Sequence, residues 1–508
     1  MIRTIQNIDH DLEESCDVCV IGSGAGGAVV AKELAAAGLS VIILEEGGYY
    51  PTSSFSHDPQ RMLPRLYRHA GGAIIVGNAP IMYVEGRCVG GSTVINAGIC
   101  YRTPEAVLDN WRREHGLAEL AYDKLEPYFE QVEKNLHVMP VPDAIMGQDS
   151  LKFKQGAENL GYRYVRVQRN IHACQGTNLC VLGCPTGAKQ STLISYLPEA
   201  LKNGAQLIAN CRADKIVVKN GRAIGVEANV VDPASHKIRH RAFVRTRAVF
   251  ACSGALHTPT LLFRSGLAKR RSWVGRNLYL HPNLKCVGIF DEEVKSWQGS
   301  IQGFQIDEFA DEGIVFGSTF LPPGILALSL PYFGNDSFKL MEHYHHMSLW
   351  GALVEDTHPG RIWRLPNGTS VTTYWINALD RQRFLRAIAS LAKIFFAAGA
   401  RKVLLPIKNF TEINREEEIE QISKLRVRAS DFSVFTMHLM GTCRLGADPR
   451  TSVIDMNHQF HGIENLFIAD ASVFPTPIRV NPMITIMALA TRAAQKFVEN
   501  RRRYLRVT

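Results

Sequence analysis

The alternation of apolar and small residues near the start of the chain predicts a strand, a glycine turn, a helix and a second strand. Residues 17–27 (DVCVIGSGAGG) begin with a β-prone Val and Ile run that passes directly into glycines. Residues 28–37 are almost all good helix formers, and Gly38 follows where a left-handed C-terminal cap is expected. A second apolar run, residues 40–44, completes the predicted unit.

The spacing of the glycines in this unit is that of a dinucleotide-binding turn. Gly22 allows a sharp turn, Gly24 lets the backbone approach a pyrophosphate, and Gly27 lets the helix lie close to the strand. Glu45 ends the second strand 23 positions after Gly22, close to the spacing at which an acidic side chain meets an adenosine ribose. The unit predicts a dinucleotide and leaves NAD and FAD equally open.

A second glycine-rich segment, residues 86–98 (GRCVGGSTVINAG), has small residues that let several backbone N–H groups converge on an anion. This pattern predicts a second contact to a phosphate or to a flavin. The predicted cofactor contacts in the segment are Arg87, Gly90, Gly91, Ser92 and Asn96.

The middle of the chain alternates between predicted strands and helices. Residues 206–231 predict strands around an Asn220-Gly221 turn, and residues 361–376 predict a hairpin around Asn367-Gly368. Residues 318–333 (STFLPPGILALSLPYF) are strongly apolar and interrupted by prolines, which is typical of a buried or pocket-lining irregular segment. Residues 380–399 predict a helix capped by Asp380.

Composition and charge narrow the class of protein. At 508 residues and 46% hydrophobic, the chain can bury a large core. The net charge of +9 is spread along the sequence, so we expect no nucleic-acid partner. The first sixteen residues predict neither a signal peptide nor a membrane anchor, and no run of eighteen apolar residues occurs. The eleven cysteines are mostly scattered singly, which favours a cytoplasmic protein.

Four motifs resemble the signatures of the glucose-methanol-choline (GMC) oxidoreductases, FAD enzymes that oxidise alcohols. Residues 86–96 have the first signature, Gly-Arg-x-Val-Gly-Gly-Ser-Thr-x-Ile-Asn. Residues 254–267 are similar to the second signature, except that Ala268 replaces its closing glycine. Residues 274–282 and the block from 438 to 490 are similar to two further family stretches, in the family's order. The resemblance therefore favours FAD over NAD.

The resemblance implies an α/β fold, in which a Rossmann-like FAD-binding domain is joined to a discontinuous α+β substrate domain with an antiparallel sheet flanked by helices. The FAD domain is expected to comprise residues 1–110, 190–285 and 430–508. The substrate domain is expected to comprise residues 111–189 and 286–429, including a cysteine-rich loop.

Oxidation of an alcohol requires a base that removes the hydroxyl proton while a hydride leaves carbon for an acceptor, and histidine suits this role near neutral pH. His438 resembles the family's catalytic histidine, which faces flavin N5. Asn481 resembles the family's second site residue, a histidine in some members and an asparagine in others. Because Pro482 follows it, Asn481 is also a candidate helix N-cap. Asp470 matches a family residue near the flavin's ribityl chain and phosphates.

Cys174, Cys180 and Cys184 form a dense group of thiols, such as holds iron–sulfur clusters. Their spacing also resembles that of the family's bacterial FAD sugar dehydrogenases, which carry a three-iron (3Fe-4S) cluster on three cysteines. Zinc with His172 as fourth ligand, a disulfide, and a metal-free packed loop similar to that of long-chain alcohol oxidases all stay open.

The sequence thus predicts an FAD-dependent alcohol dehydrogenase or oxidase in which a proton passes to His438 and a hydride to flavin N5. A hydrophobic alcohol is favoured over a sugar because of the apolar residues 318–333. The electron acceptor is a protein or quinone partner if a cluster is present, and oxygen or a quinone analogue if it is not. Peripheral membrane association stays open, as do two other functions, a flavin-dependent lyase and an electron-transfer subunit without its own substrate.

Overall fold

The computed structural model of the chain describes residues 1–268, 272–332, 334–366 and 368–506. The strands in this part of the chain are β1 (Ile2–Arg3), β2 (Leu12–Ile21), β3 (Val41–Leu44), β4 (Ala73–Gly77), β5 (Ile81–Tyr83), β6 (Val138–Pro140), β7 (Tyr164–Arg166), β8 (Gln168–Asn170), β9 (Gln206–Ile208), β10 (Cys211–Lys219), β11 (Arg222–Val231), β12 (Ile238–Ala251), β13 (Asn283–Ile289), β14 (Phe304–Ile306), β15 (Ile314–Thr319), β16 (Met347–Val354), β17 (Arg361–Arg364), β18 (Ser370–Tyr374), β19 (Lys402–Leu404), β20 (Glu412–Ile413), β21 (Phe435–Thr436) and β22 (Leu466–Ile468).

The α-helices of the described residues are α1 (Gly27–Ala36), α2 (Pro59–Leu66), α3 (Glu105–His115), α4 (Tyr122–Asn135), α5 (Gln148–Asn159), α6 (Tyr196–Lys202), α7 (His257–Arg264), α8 (Pro323–Ser329), α9 (Asn335–Met341), α10 (Ala378–Ala397), α11 (Ile419–Lys424), α12 (Met483–Glu499) and α13 (Arg501–Tyr504). None of them is both long enough and apolar enough to cross a membrane.

The first sheet has the order β1-β9-β3-β2-β12-β11-β10, with β22 paired to the end of β12. Strands β9, β3, β2, the end of β12 and β22 run parallel, whereas β10 and β11 run antiparallel. The four residues of β3 are all buried, as expected for a parallel strand covered on both faces. The carboxyl ends of β2, β3, β12 and β22 meet at one edge, which places the glycine turn, Glu45 and Asp470 together.

The second sheet is mixed and runs in the order β17-β18-β4-β5-β21-β13-β16-β15-β14-β7, with β19 paired to β13 and β20 paired to β19. Helices α5 and α10 pack on one of its faces. Side chains on the other face of β13 and β16 point into a cavity between the two sheets. Strands β4 and β5 belong to this second sheet, although they come from residues expected in the FAD domain. The division into two domains stays a prediction.

Several local predictions are confirmed and others need correction. Strands β10 and β11 form a hairpin in which Asn220 and Gly221 both have positive φ, as an Asn-Gly turn requires. Strands β17 and β18 also pair, but Asn367 of their predicted turn lies outside the described residues. Helix α10 is capped by Asn377, whose Oδ1 accepts from the Asp380 N–H at 2.8 Å, so the prediction of Asp380 as cap was wrong by one turn.

Residues 318–332 are less irregular than their prolines suggest, and the last residue of the predicted segment, Phe333, lies outside the described residues. They include the end of β15 and the helix α8, in which Pro323 occupies the first turn and leaves no hydrogen bond broken. Leu321, Ile325 and Leu330 line the cavity, as predicted for a pocket-lining segment.

Candidate active site

A cavity of about 1810 Å³ extends from the glycine turn to the face of the second sheet opposite helices α5 and α10. It exceeds the roughly 300–1,000 Å³ of a site for one drug-sized ligand. The predicted residues that line it are Gly22, Gly24, Glu45, Arg87, Gly91, Ser92, Asn96, His438, Asp470 and Asn481. Gly27 and Gly90 do not line it. Ten of the twelve predicted cofactor and catalytic residues therefore line the same cavity.

The glycines of the turn have different tasks. A Cβ on Gly27 would lie 2.0 Å from the Gly22 carbonyl oxygen, so Gly27 serves the close packing of helix and strand, as predicted. Sequence reasoning missed Gly26, whose Cβ would lie 1.8 Å from the carbonyl oxygen of Ala469 just beyond β22. At Gly24 the nearest atom to a Cβ is the Gly91 Cα at 3.9 Å. Gly24 thus leaves room for a ligand and not for the protein's own packing.

Glu45 is buried and held in place by the turn that it faces. Its Oε2 accepts hydrogen bonds from the N–H and the Oγ of Ser23 at 3.0 and 2.6 Å, and its Oε1 accepts from the Gly47 N–H at 2.8 Å. Burial raises the pKa of Glu45, and these hydrogen bonds act against that rise. Ser23, which sequence reasoning missed, also accepts from the Gly90 N–H at 3.0 Å and so joins the two glycine segments.

The second glycine segment is fixed from behind by buried cations. The Lys189 ammonium donates to the carbonyls of Val94 and Asn96, each at 2.7 Å. The Arg169 guanidinium donates to the carbonyl of Ala97 at 2.7 Å. Ser92 accepts from the Gly86 N–H at 2.9 Å and closes the loop. These contacts order the segment before any ligand binds.

Arg87 belongs to a charged cluster on the cavity wall that sequence reasoning did not find. Its Nε lies 3.4 Å from Glu46, which also pairs with Arg68 at 2.9 Å. Burial by itself would raise the pKa of Glu46, but the charges of Arg68, His257 and Arg87 lower it to about 2. His257 contacts Glu85 at 2.5 Å. Because Glu45 and Glu46 are adjacent in the sequence, the sequence already indicated that two acidic residues follow strand β3.

Asp470 ties two signatures together at the carboxyl edge of the first sheet. Its Oδ2 accepts from the Gly254 N–H at 2.9 Å and from Thr258 Oγ1 at 2.5 Å, and its Oδ1 accepts from the Ser472 N–H at 2.8 Å. Burial raises the pKa of Asp470 and these donors oppose that rise.

His438 and Asn481 meet at the inner end of the cavity. The Asn481 amide donates to His438 Nε2 at 3.2 Å, and the His438 Nδ1 is buried without a partner among the described residues. Burial lowers the pKa of His438 to about 4, so its imidazole is neutral at neutral pH and its Nε2 lone pair faces the Asn481 amide. Helix α12 begins at Met483, and the Asn481 side chain does not cap it. The N-cap interpretation of Asn481 was therefore wrong, because its amide bonds to His438.

A second histidine behind this pair escaped sequence reasoning, although it lies in the family-like stretch 274–282. The ring of His281 lies 5.7 Å from that of His438, edge to face. His281 Nε2 accepts hydrogen bonds from the N–H groups of Ile478 and Arg479 at 3.2 and 3.3 Å. His281 thus holds the segment that carries Asn481.

The cysteine loop presents no metal centre within the described part of the chain, where no group of three or more His, Cys, Asp or Glu side chains is arranged to hold a metal ion. Cys174, Cys180 and Cys184 line one small cavity of about 10 Å³, and all three are free thiols. The Cys180 Sγ accepts from Arg169 at 3.1 Å. Burial would raise the pKa of Cys180, but the charges of Arg169 and Lys189 outweigh it and lower the pKa.

The parallel sheet, its glycine turn and the neutral histidine at the far end of one long cavity define a dinucleotide-dependent oxidoreductase. Residues 62–283 and residues 366–490 match the N- and C-terminal sequence profiles of the family described as GMC oxidoreductase. The chain belongs to this family, whose members are FAD-dependent oxidoreductases that act on alcohol groups.

Relatives and solved structures agree with this assignment. The chain is 34% identical to the uncharacterised GMC-type oxidoreductase y4nJ of Sinorhizobium fredii, over 96% of each chain. It is 28% identical to the long-chain-alcohol oxidase FAO3 of Arabidopsis thaliana, over 96% of this chain and 69% of that one. The fold is similar to that of pyridoxine 4-oxidase from Mesorbium loti, with a TM-score of 0.71, 19% identity, and coverage of 95% and 99%.

The residues present fit FAD as the resident cofactor. Gly24 and the start of α1 leave open backbone in front of the turn, as a pyrophosphate needs. Glu45 faces the same space as an ordered acceptor. At the opposite end, the start of α12 directs its positive end at the cavity beside Asn481.

Proposed function

We propose that the protein oxidises an alcohol to an aldehyde or ketone with His438 as base and Asn481 as partner for the substrate oxygen. The observation that carries this proposal is the 3.2 Å contact between Asn481 Nδ2 and the neutral His438 Nε2 on the cavity wall. Bound FAD supplies the acceptor for the hydride that leaves the alcohol carbon.

The chain's own residues bind the alcohol oxygen and move its proton. In this proposal the substrate hydroxyl takes the place of the direct contact between Asn481 and His438. The lone pair of His438 Nε2 then accepts the hydroxyl proton, and the Asn481 amide donates to the oxygen on which negative charge grows. The start of α12 adds a positive potential that favours this charge and any anionic form of the cofactor. His281 keeps Asn481 in position from behind through its two backbone hydrogen bonds.

The substrate is, on our proposal, an apolar alcohol and not a sugar. The part of the cavity beyond His438 is lined mainly by apolar side chains from β13, β15, β16, α8 and the segment after β19: Val287, Val315, Phe316, Leu321, Ile325, Leu330, Leu349, Leu353, Leu404, Leu405 and Ile407. A sugar would leave the hydroxyls that face these apolar side chains without partners, at a cost for each.

The test is anaerobic reduction of the bound flavin by alcohols in His438→Ala. We expect this variant to keep FAD and to reduce it about 10²- to 10⁴-fold more slowly, as for loss of a general base. His343→Ala is the matched control, because His343 is exposed and does not line the cavity. An unchanged rate in His438→Ala would sink the assignment.

The same experiment separates the two other functions. A lyase would leave the flavin oxidised with every alcohol, even in the wild-type protein. An electron-transfer subunit without its own substrate needs no space beside the histidine, whereas this cavity continues well beyond His438. This space favours an enzyme with a small-molecule substrate. We assign no electron path to the cysteine loop, and oxygen, a quinone or a protein stays open as final acceptor.

We also propose that the protein docks on a bilayer surface to collect its apolar substrate. Strands β4, β5 and β17 present Ile74, Val76, Met82 and Trp363, which are 43–55% exposed. Ile74 pairs directly with Met82, and Met82 also lines the cavity, so the exposed apolar face is continuous with its wall. The net charge of +9 favours anionic lipid.

The test of docking is co-sedimentation with phosphatidylglycerol vesicles. Binding to the vesicles should weaken in the double variant Ile74→Ser with Val76→Ser, and binding equal to that of the wild-type protein would contradict docking.

A further inference from the structure

Lys285 is a cation that the proposed reaction does not use, although it lies on the wall of the substrate cavity. It sits on β13, two residues after Asn283 and on the same face of the sheet. Among the residues that the structure describes, none accepts a hydrogen bond from its ammonium and no carboxylate lies within ion-pair distance. The ammonium also lies near the Phe435 ring, with Nζ 5.6 Å from the ring centroid.

Glycines on two neighbouring strands leave space for this ammonium. Lys285 pairs with Gly351 of β16, which pairs with Gly317 of β15, which pairs with Gln305 of β14. A Cβ on Gly351 would lie 2.6 Å from Lys285 Nζ. Two adjacent positions without side chains form a trough between Lys285 and Gln305, in which the Lys285 ammonium lies over Gly351 and the Gln302 amide lies beside Gly317. All members of this sheet trough line the cavity: Lys285, Gly351, Gly317 and Gln305.

Burial disfavours the charged form of Lys285. Burial lowers the pKa of Lys285 to about 7, and the carboxylate of Asp149 opposes that shift. Asp149 bonds to Trp350 Nε1 at 2.9 Å, and Trp350 points to the opposite side of the sheet from Gly351. Asp149 therefore does not fill the trough. An anionic oxygen placed there would contact the ammonium directly and favour its charged form.

The trough and the catalytic pair lie along one wall. Phe435 of β21 pairs with Asn283, and His438 follows three residues after Phe435. A ligand with its hydroxyl at His438 and an anionic end at Lys285 would lie along this face, with an apolar chain between the two ends.

We propose that Lys285 binds a carboxylate carried by the substrate, so that the preferred substrates are apolar hydroxy acids. This inference rests on the proposed alcohol oxidation. Lys285 is a specificity residue in it, because it contacts the substrate away from the reacting carbon.

The test is a titration of the FAD-loaded protein with decanoate and with methyl decanoate, followed by the visible spectrum of the flavin. Neither probe can be oxidised as an alcohol. We expect decanoate to bind at least about tenfold more tightly than its ester. In Lys285→Met the affinity for decanoate should fall about 30-fold or more, while that for the ester stays unchanged.

Two further variants keep the result interpretable. Lys285→Arg retains the charge and should retain most of the preference. Gly351→Ala should weaken the preference less than Lys285→Met does, because its Cβ displaces the ammonium without removing the charge. Equal binding of the two probes to wild type, or unchanged decanoate affinity in Lys285→Met, would overturn the proposal. Loss of FAD from Lys285→Met would do so too, since it would assign the lysine to the cofactor.

The outcome also separates this inference from the proposed function. Reduction of the flavin by decanol together with equal binding of both probes would leave alcohol oxidation standing and remove the carboxylate site. Preferential binding of decanoate with no flavin reduction by decanol or 10-hydroxydecanoate would support the carboxylate site and contradict alcohol oxidation.

Discussion

At the scale of single residues, the protonation states of a few buried groups decide what the site can do. Among the residues that the structure describes, no acid pairs with His438 to hold a proton on it, and burial is the cause of its low pKa. Its partner Asn481 can donate but cannot supply negative charge. In the proposed reaction, the pair accepts one proton from the substrate.

This arrangement predicts a specific pH profile. Because the pKa of His438 is about 4, the neutral base is fully present above that value and is lost as the pH falls through it. We expect kcat/KM for flavin reduction to be flat near neutral pH with an acid limb near pH 4. In Asn481→Asp the added carboxylate should move the limb about 1–2 units upward, whereas Asn481→Ser should leave it in place. If the acid limb of Asn481→Asp stays at the pH found for the wild-type protein, the role of His438 is contradicted.

The cysteine loop gives a second prediction at this scale. Cys180 is engaged by Arg169 at 3.1 Å, and no metal-binding group is found among the described residues. We expect the purified protein to contain FAD but no stoichiometric iron or acid-labile sulfide. About three irons per chain, with a broad visible shoulder beside the flavin bands, would restore the three-iron hypothesis.

At the scale of elements, the contact between α1 and β22 controls the glycine turn. Gly26→Ala would force a Cβ against the Ala469 carbonyl at 1.8 Å, and we expect it to cost about 3 kcal/mol or more of folding stability. Gly24→Ala meets no protein atom closer than 3.9 Å, so it should fold normally and lose FAD affinity instead. Thermal unfolding and flavin content measure the two effects. Identical behaviour of the variants would show that the glycines share one task.

The loop that carries Asn96 depends on Lys189 in the same way. Its ammonium donates three hydrogen bonds of 2.7 Å to the carbonyls of Val94, Asn96 and Cys180. We expect Lys189→Met to weaken FAD binding about tenfold or more, since the loop loses buried charged hydrogen bonds. The exposed Lys219→Met is the control, and fluorescence of released FAD is the measurement. Equal retention of FAD in both variants would mean that the loop is rigid without its cation.

The features of the fold and site that the sequence predicts are those in which the interacting residues lie close together along the chain. The strand, turn and helix around Gly22 follow from local patterns, because neighbouring residues alone determine them. The partner of Gly26 is more than 400 residues away, and no local pattern reports it. Asn481 shows the same limit, since its cap-like sequence was overridden by the distant His438.

At the scale of the whole molecule, two sheets share one cavity, and each contributes a different kind of wall. The first sheet supplies polar turns at its carboxyl edge, and the second supplies a broad apolar face with a single trough. Motifs could identify the first because phosphate binding needs fixed glycines. They could not identify the second, because Lys285, Gly351 and Gln305 become neighbours only through strand register. The cytoplasmic location expected from the free thiols stays a prediction.

The packing of Gly26 on Ala469 also sets an order of events during synthesis. The glycine turn leaves the ribosome early, but the strand that closes on it, β22, is made roughly 440 residues later, after about 20–90 s at ordinary elongation rates. During that interval the turn lacks its contact with Ala469. The hydrogen bonds from Gly254 and Thr258 to Asp470 are also not yet formed. The cofactor is therefore expected to enter a finished chain and not a growing one.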